Sequence, residues 1–377
     1  MERSGNLREV AALFFKLGLI AFGGPAAHIA MMEGEVVKKR KWMTHEHFLD
    51  LVGATNLIPG PNSTEMTMHC GHERAGWRGL IVAGICFIFP AVVITSAFAW
   101  VYQRYGQVPQ VEAFIYGIKP AVIAIILSAL WSLGQKALKS VELGILGGAT
   151  AVVCLLGVNE IAALFGCGFA GLLLYFVKNA GKTVNGFSPF ALLQIAAPVV
   201  QAGNFKIFWI FLKVGSLLYG SGYVLFAFLD AELVSKGLLS RAQLMDAVAV
   251  GQFTPGPVLS TATFIGWQMN GVGGALAATA GIFLPSFLFV ALLNPLIPQL
   301  RKSRAMSAFL DAVNIASVAV ILVVCIEMGR DALTDWKTML IAAASLGIQL
   351  LFKKINSAFV VLGGAIAGYL LSLCFSF

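Results

Sequence analysis

Long apolar stretches alternate with short polar connections along the whole chain. Six stretches fall in each half, near residues 10–32, 47–70, 79–102, 111–133, 141–157 and 159–177, and near 207–229, 243–268, 272–298, 307–328, 338–352 and 355–376. A helix that crosses a bilayer needs about 20 apolar residues, and these stretches lack the alternation of a membrane β-barrel. The pattern predicts an all-α polytopic membrane protein embedded in the lipid bilayer.

The two halves of the sequence repeat one another at an offset that stays between 195 and 197 positions. The matched segments include 15–18 with 212–215, 22–25 with 219–222, 35–37 with 232–234, 59–61 with 255–257 and 89–90 with 284–285. An ordered series at a near-constant offset indicates a tandem duplication. We predict an N-terminal repeat over residues 1–180, a polar linker over 181–205 and a C-terminal repeat over 206–377.

A Pro-Gly-Pro turn interrupts the second stretch of each half, at residues 59–61 and 255–257. Proline removes a helical hydrogen bond, and the residue before it avoids helical angles. We therefore predict a re-entrant helical hairpin at each turn, so that each half has about five spans plus one hairpin. An odd number of spans inverts the second half relative to the first, and inverted repeats place a substrate site near the midplane.

Composition and charge agree with a membrane protein. Hydrophobic residues make up 58% of the chain and charged residues 12%, which excludes a soluble enzyme, a disordered protein and a nucleic-acid-binding domain. The net charge of +8 is expected from cytoplasmic loops that collect Lys and Arg. With residues 38–41 in the cytoplasm, most basic residues fall in cytoplasmic loops and both termini lie outside. The excess could also attract an anionic substrate.

Hydrogen-bonding side chains surround both Pro-Gly-Pro turns. The candidate substrate-binding residues there are Asn56, Gly60, Asn62, Ser63 and Thr64 in the first half and Gln252, Gly256, Ser260 and Thr261 in the second. A helix that starts after each turn would present backbone N–H groups and its positive dipole end, which favour an oxyanion. Alternatively, the turns only kink a helix, and the hydroxyl groups bond back to its backbone.

Paired small residues break the first stretch of each half. Gly23-Gly24-Pro25 corresponds to Gly220-Ser221-Gly222, so Ser221 and Gly222 take the places of Gly24 and Pro25. Such a break is tolerated where the backbone lines a cavity, and small residues equally allow close helix packing. The sequence leaves both explanations open.

Three lysines lie inside apolar stretches. Lys16 and Lys213 form a matched pair that either binds an anion or extends to the membrane surface. Lys119 lies deeper, and it could meet an anion or pair with a carboxylate such as Glu112 or Asp311.

Glu65 and His28 are candidates for proton coupling, because an acid beside an anion site repels the substrate unless it is protonated. Asp50 and Asp246 are expected to cap or orient the second stretch. No metal-ligand spacing and no Walker motif is present in the sequence, so we predict no metal site, no cofactor and no direct use of ATP.

The Gly-Gly-Pro and Asn-Leu-Ile-Pro-Gly-Pro segments at 23–25 and 56–61, repeated in altered form at 220–222 and 252–257, resemble the chromate ion transporter family. The resemblance covers nearly the whole chain. It implies export of chromate from the cytoplasm, resistance to chromate and two antiparallel homologous halves. Sulfate is a tetrahedral dianion like chromate. The second half departs from the first, since Thr261 replaces Glu65, which argues against a strictly symmetric site.

These observations lead to one hypothesis and its alternatives. We expect a secondary transporter in the cell membrane that exports chromate through a midplane site formed by the broken helices of both halves. A transporter of sulfate or another oxyanion, or an anion channel, is the alternative. An enzyme is not expected, because no nucleophile–base pair is evident. Glycine pairs at 144 and 148 and at 364 and 368 pack helices within one chain or between the chains of a homodimer.

Overall fold

The computed structural model describes residues 3–22, 24–55, 58–106, 109–178, 203–219, 222–293, 303–352 and 355–374. Within these ranges the chain is helical and contains no strand. The first half forms α1 (Arg3–Ile20), α2 (Pro25–Met32) with a π-helix (Glu33–Lys39), α3 (His45–Thr55), α4 (Asn62–Tyr105), α5 (Pro109–Ala137), α6 (Val141–Leu155) and α7 (Glu160–Lys178).

The second half repeats this order of elements. It forms α8 (Asn204–Leu217), α9 (Val224–Leu229) with a π-helix (Asp230–Val234), α10 (Arg241–Phe253), a 3-10 turn (Val258–Ser260), α11 (Thr261–Leu293), α12 (Arg304–Ala332), α13 (Trp336–Leu351) and α14 (Ser357–Cys374). Among the described helices, six are long and apolar enough to cross a membrane, namely α4, α5, α7, α11, α12 and α14, whereas α6 and α13 are shorter and apolar.

The first apolar stretch of each half folds back on itself. Gly24 adopts a φ of 82°, which favours glycine, and Pro25 begins α2. The Trp42 indole, which follows the π-helix, donates to Glu9 on α1 at 3.2 Å. The second half has the same shape, since Lys213 on α8 donates to Glu232 at 2.6 Å.

This geometry differs from the sequence prediction that residues 10–32 and 207–229 are the first spans. The sequence predicts that paired small residues break a helix that still crosses the membrane, but the chain reverses at Gly24, whose φ is positive. Arg8, which precedes Glu9 on α1, therefore lies near Arg40 and Arg74, both within 4 Å of Glu9. The expectation that the N-terminal residues lie on the opposite side from residues 38–41 does not hold.

The Pro-Gly-Pro segments form a second hairpin in each half. His47 on α3 lies 3.3 Å from Glu73 on α4, so residues 62–74 run back beside α3 with the turn at the tip. The chain reverses again at Gly76, whose φ is 62°, and Gly71 packs against Gly79 across this reversal. Residues 77–105 then form one long helical section.

The second half contains an equivalent reversal inside α11. Asn270 has non-helical angles and Gly271 a φ of 54°. The hydroxyl groups of Thr263 and Thr279 lie 2.8 Å apart across this bend.

The hairpins of the first half start from the end of the molecule that contains Glu9, Arg40 and Arg74, here called end A. Those of the second half start from the end that contains Asp230, Arg241 and Glu327, here called end B.

The long helices of the two halves run in opposite directions and interlock. Trp267 on α11 donates to Gln103 on α4 at 3.0 Å, and Gly84 lies against Phe287 farther along the same pair. Helix α5 packs on α13 and α14 of the second half, and α12 packs on α6 and α7 of the first half. Each half therefore completes the helical packing of the other.

Most of the predicted linker, residues 181–202, lies outside the described residues.

Labelling of single cysteines tests the folded-back first hairpin. We expect a membrane-impermeant maleimide to reach Arg8→Cys and Lys139→Cys from one side and Lys236→Cys from the other, in a background that lacks the six native cysteines. The physical reason is that Arg8 and Lys139 both lie at end A, whereas Lys236 pairs with Glu232 at end B. Labelling of positions 8 and 139 from opposite sides would instead support a first stretch that crosses the membrane.

Candidate functional site

Each Pro-Gly-Pro turn is hydrogen-bonded to the first hairpin of the opposite half. The Gly60 N–H donates to the Leu218 carbonyl at 2.7 Å, and the Gly256 N–H donates to the Ala21 carbonyl at 2.8 Å. These four residues occupy the hairpin tips, here defined as the two Pro-Gly-Pro turns and the turns that follow Ala21 and Leu218. The four tips therefore meet at the contact between the halves.

Only glycine fits at the centre of each Pro-Gly-Pro turn. Gly60 has a φ of 140° and Gly256 a φ of 92°, which other residues rarely adopt. A Cβ at position 60 would lie 2.7 Å from the Ser286 hydroxyl and against the Glu65 carboxyl group. One at position 256 would lie 2.9 Å from the Cβ of Ala91. Ala91 lies halfway along residues 77–105, which places the tips near mid-height of the helical section.

A cavity of about 540 Å³ lies beside the tips and extends towards end A. Its lining includes tip residues from both halves, since Gly24, Pro25 and Asn62 meet Gly222 there. The other polar lining residues are Ser132, Lys136, Lys139, Tyr223, Asp311, Asn314 and Ser317. Its size falls within the range that is typical of small-molecule sites.

Sequence reasoning named Gly24, Asn62 and Gly222 as candidate binding residues, and the structure brings these three together at the cavity. It did not name any α5 or α12 residue of this lining as a binding residue, because Lys136 and Lys139 have the pattern of loop residues at a helix end. The repeat alignment contains one signal for the contribution of α12 to the cavity. Asn314 on α12 is the counterpart of Lys119 in the repeat alignment.

The electrostatic character of the cavity suits a small anion. Helices α2 and α4 begin at its wall, and neither has a hydrogen bond from a capping side chain. The first N–H groups of an α-helix point away from its body and carry partial positive charge. Lys136 adds a full positive charge, whereas the charge of Lys139 is balanced by Asp311 at 2.7 Å.

The hydroxyl groups after the first turn are buried behind the cavity wall. Ser63 and Thr64 are almost inaccessible, and the Ser63 hydroxyl lies 3.3 Å from Nδ1 of His28. Glu65 is fully buried, and its two carboxyl oxygens have no hydrogen-bond partner among the described residues. Ser286, the neighbour of Gly60, is also without a partner for its hydroxyl in the described part of the chain.

The equivalent residues of the second half form a different arrangement. Thr261, which replaces Glu65, donates its hydroxyl proton to the Val258 carbonyl at 2.8 Å. Gln252 and Ser260 are buried, and within the described ranges the Gln252 amide nitrogen and the Ser260 hydroxyl have no hydrogen-bond partner. The two turns therefore differ, because an acidic side chain follows the turn of the first half and a threonine follows that of the second.

Lys16 and Lys213 occupy matched ion clusters away from the tips. Lys16 and Lys39 lie beside Glu35, at 3.8 and 2.8 Å. Lys213 and Lys236 contact Glu232 in the same pattern. The hydrogen bond from Lys39, with the nearby Arg40 and Lys16 charges, lowers the pKa of the Glu35 carboxyl.

Burial would raise the pKa of Glu232, but hydrogen bonds from both of its lysines outweigh burial and lower it. Both carboxyl groups are therefore ionised near neutral pH. Each holds the two helical arms of its hairpin together through its lysine contacts.

Lys119 has a carboxylate partner, but a different one from those expected. Its amine lies 3.5 Å from Asp246, which also accepts a hydrogen bond from Tyr102 at 2.6 Å. Asp246 thus connects α10 with α4 and α5.

The remaining candidates Gly23, Asn56 and Ser221 lie outside the described residues. No cluster of three or more His, Cys, Asp or Glu side chains suited to a metal occurs among the residues that the structure describes.

The fold defines a multi-pass helical membrane protein of two homologous repeats that interlock around a central cavity. The chain belongs to the chromate transporter family, whose model matches residues 8–172 and again residues 205–369. This assignment indicates an integral protein of the cell membrane, supports chromate transport and points away from an enzymatic activity.

Several curated proteins are similar over nearly their full length. A chromate transport protein of Cupriavidus metallidurans is 29% identical over 96% of this chain and 92% of its own. A probable chromate transport protein of Synechococcus elongatus is 29% identical over 96% and 95%. An uncharacterized transporter of Methanocaldococcus jannaschii is 26% identical over 98% and 96%. No solved structure matches the chain.

Substitution of the turn glycines tests the contact between the tips. We expect Gly60→Ala and Gly256→Ala each to lower stability by about 1–3 kcal/mol from backbone strain alone, with more from steric overlap, and to abolish chromate transport. The matched control is Gly148→Ala on α6, where a Cβ meets no atom within 4 Å. Thermal unfolding of the purified protein is the measurement. Equal melting temperatures for all three variants would contradict the tip geometry.

Proposed function

We propose that the protein is a secondary transporter that exports chromate from the cytoplasm through a site where the four tips meet. The observation that carries this proposal is the cavity lined by tip residues of both halves, because a site shared between two repeats changes its access when the repeats move. Family membership supplies the substrate class, and the printed names of the relatives from Cupriavidus metallidurans and Synechococcus elongatus agree with it.

End A is the cytoplasmic end in this proposal. Its described basic residues are Arg8, Lys38, Lys39, Arg40, Lys41, Arg74, Arg78, Lys136, Lys139, Lys178 and Arg304, against Arg104, Lys206, Lys236, Arg241, Arg330 and Lys337 at end B. Cytoplasmic loops collect Lys and Arg, which favours end A. The hairpins of the first half then enter the membrane from the cytoplasm, and those of the second half enter from outside. Both sets are re-entrant.

Chromate is a tetrahedral dianion that accepts hydrogen bonds on every face. In our proposal it binds near Gly24, Asn62 and Gly222, where helix N-termini supply N–H donors in surroundings of low polarity. The buried Ser63 and Thr64 support this wall from behind. Lys16 and Lys213 bind their hairpins together and do not reach the substrate.

Movement of one half against the other would change which end has access to the site. The tips are tied across the halves by two short backbone contacts, at Gly60 and Gly256, so they form a natural pivot. Opening of end B around this pivot releases the anion outside.

Glu65 supplies the proton coupling in this proposal. A buried carboxylate without a cationic partner is costly, and its charge would also repel a dianion in the cavity. Chromate binding therefore goes together with a protonated Glu65. This proton crosses with the anion from end A and is released at end B. Ser286 and Tyr219 are the neighbouring groups, and Thr261 provides no equivalent in the second half.

Uptake of labelled chromate by everted membrane vesicles tests the proposed export. We expect vesicles that contain the protein to accumulate chromate in a saturable way that depends on an imposed pH gradient, because everted vesicles expose end A to the medium. Vesicles without the protein serve as the control. Competitive inhibition of that uptake by sulfate at concentrations similar to those of chromate would favour a general oxyanion transporter, and a non-saturable ohmic current would indicate a channel.

Replacement of Glu65 by glutamine tests its role in coupling. We expect Glu65→Gln to remove the response of chromate flux to the pH gradient while chromate binding persists, because glutamine resembles the protonated acid. Glu73→Gln is the matched control, since Glu73 lies on the same helix at the exposed end and pairs with His47. A Glu65→Gln protein whose flux still follows the pH gradient as the wild type does would exclude Glu65 as the coupling group.

A further inference from the structure

A second cavity lies at end B, and the repeat makes it the counterpart of the cavity at end A. It has a volume of about 360 Å³ and is lined by Glu112, Tyr116, Lys119, Asp331 and Thr334 with apolar neighbours. The Tyr116 hydroxyl bonds to Asp335 at the start of α13, which places this cavity at the opposite end of α5 from Lys136 and Lys139.

The two cavities are built from equivalent positions of the two repeats. At an offset of 195 positions, Tyr116 corresponds to Asp311, Lys119 to Asn314, Lys136 to Asp331, Ala137 to Ala332 and Lys139 to Thr334. Such a correspondence is expected when one duplicated unit forms a mouth at each end of a shared path. The cavity at end A is here called mouth A and the cavity at end B mouth B.

The two linings differ in net charge, and one of the equivalent positions, Lys136 with Asp331, carries opposite charges. Lys136 at mouth A makes no ion pair among the described residues, and Lys139 is balanced by Asp311. The lining of mouth A therefore has an excess positive charge. At the position that corresponds to Lys136, mouth B has the acidic residue Asp331.

Neighbouring groups keep mouth B acidic. Arg241 lies 3.6 Å from Asp331, but the same guanidinium also pairs with Asp230 and Glu327, so that three carboxylates share one positive charge. Lys119 is balanced by Asp246, which is not part of the lining. Glu112 adds a further negative charge to the lining, with no ion pair in the described part of the chain.

We propose that the two cavities are the inner and outer mouths of one anion path, and that Lys136 and Asp331 give these mouths opposite charge. Mouth A attracts the dianion from the cytoplasm, and mouth B repels it and disfavours its return after release. Both act through their charge on the approaching ion: Lys136 lines mouth A, and the anion itself binds near Gly24, Asn62 and Gly222 in the same cavity. This inference rests on the proposed oxyanion transport and adds a physical reason for different half-saturating concentrations at its two ends.

Electrostatics sets the form of this effect. Charges near the mouths of a cavity change the local concentration of an ion and its rate of capture. They change the half-saturating concentration at each end, whereas the final gradient is set by the driving ion. The interaction is doubled for a dianion compared with a monovalent ion, and added salt screens it.

Measurement of chromate uptake from each end tests the proposal. Everted vesicles present end A to labelled chromate, and right-side-out vesicles present end B. We expect Lys136→Gln to raise the half-saturating chromate concentration at end A about two- to fourfold at low ionic strength, with no change at end B. Asp331→Asn should lower the half-saturating concentration at end B by a similar factor. Both shifts should shrink when salt is added.

The matched control is Arg78→Gln, which removes an exposed positive charge from end A outside the mouth. Half-saturating concentrations that shift equally in Lys136→Gln and Arg78→Gln would overturn the proposal, since only the general surface charge would then matter. Transport-competent variants whose values match the wild type at both ends would also overturn it. Wild-type vesicles that move no chromate from either end would overturn the proposed function itself, which distinguishes the two failures.

Discussion

The architecture depends on two short backbone hydrogen bonds that cross between the repeats. Gly60 donates to Leu218 and Gly256 donates to Ala21, so each Pro-Gly-Pro turn satisfies a carbonyl group at the broken hairpin of the opposite half. A carbonyl left without a partner inside an apolar protein is costly. The donors supplied by the opposite half therefore stabilise the breaks in the first hairpins.

This reciprocity explains why the halves interlock. Tips that meet at mid-height need long helices around them, and α4 and α11 run past the tips in opposite directions. Helices α5 and α12 each pack on the last two helices of the other half. The cavities then arise where the tips leave space between α5 and α12, with one mouth towards each end. The repeat supplies the shape, and the substituted side chains supply the difference between the ends.

Much of this arrangement could be predicted from local patterns in the sequence. The apolar stretches, the duplication and the importance of the two Pro-Gly-Pro turns required only periodicity and the chemistry of proline and glycine. The reversal at Gly24 could not be predicted, because a kink and a full turn have the same composition and differ in the φ of one residue. The partners of Lys16 and Lys119 could not be predicted either. Glu35 and Asp246 come near them through contacts that only the folded chain brings about.

We propose that an oxyanion binds beside the tips where the halves meet. An experimental structure of the protein with bound chromate tests it most directly, because chromium scatters X-rays anomalously and identifies the ion without ambiguity. We expect an anomalous peak in the cavity lined by Gly24, Asn62 and Gly222. A peak at the Lys16–Glu35–Lys39 cluster or its counterpart around Glu232, with no peak in the cavity beside the tips, would contradict the proposed binding site.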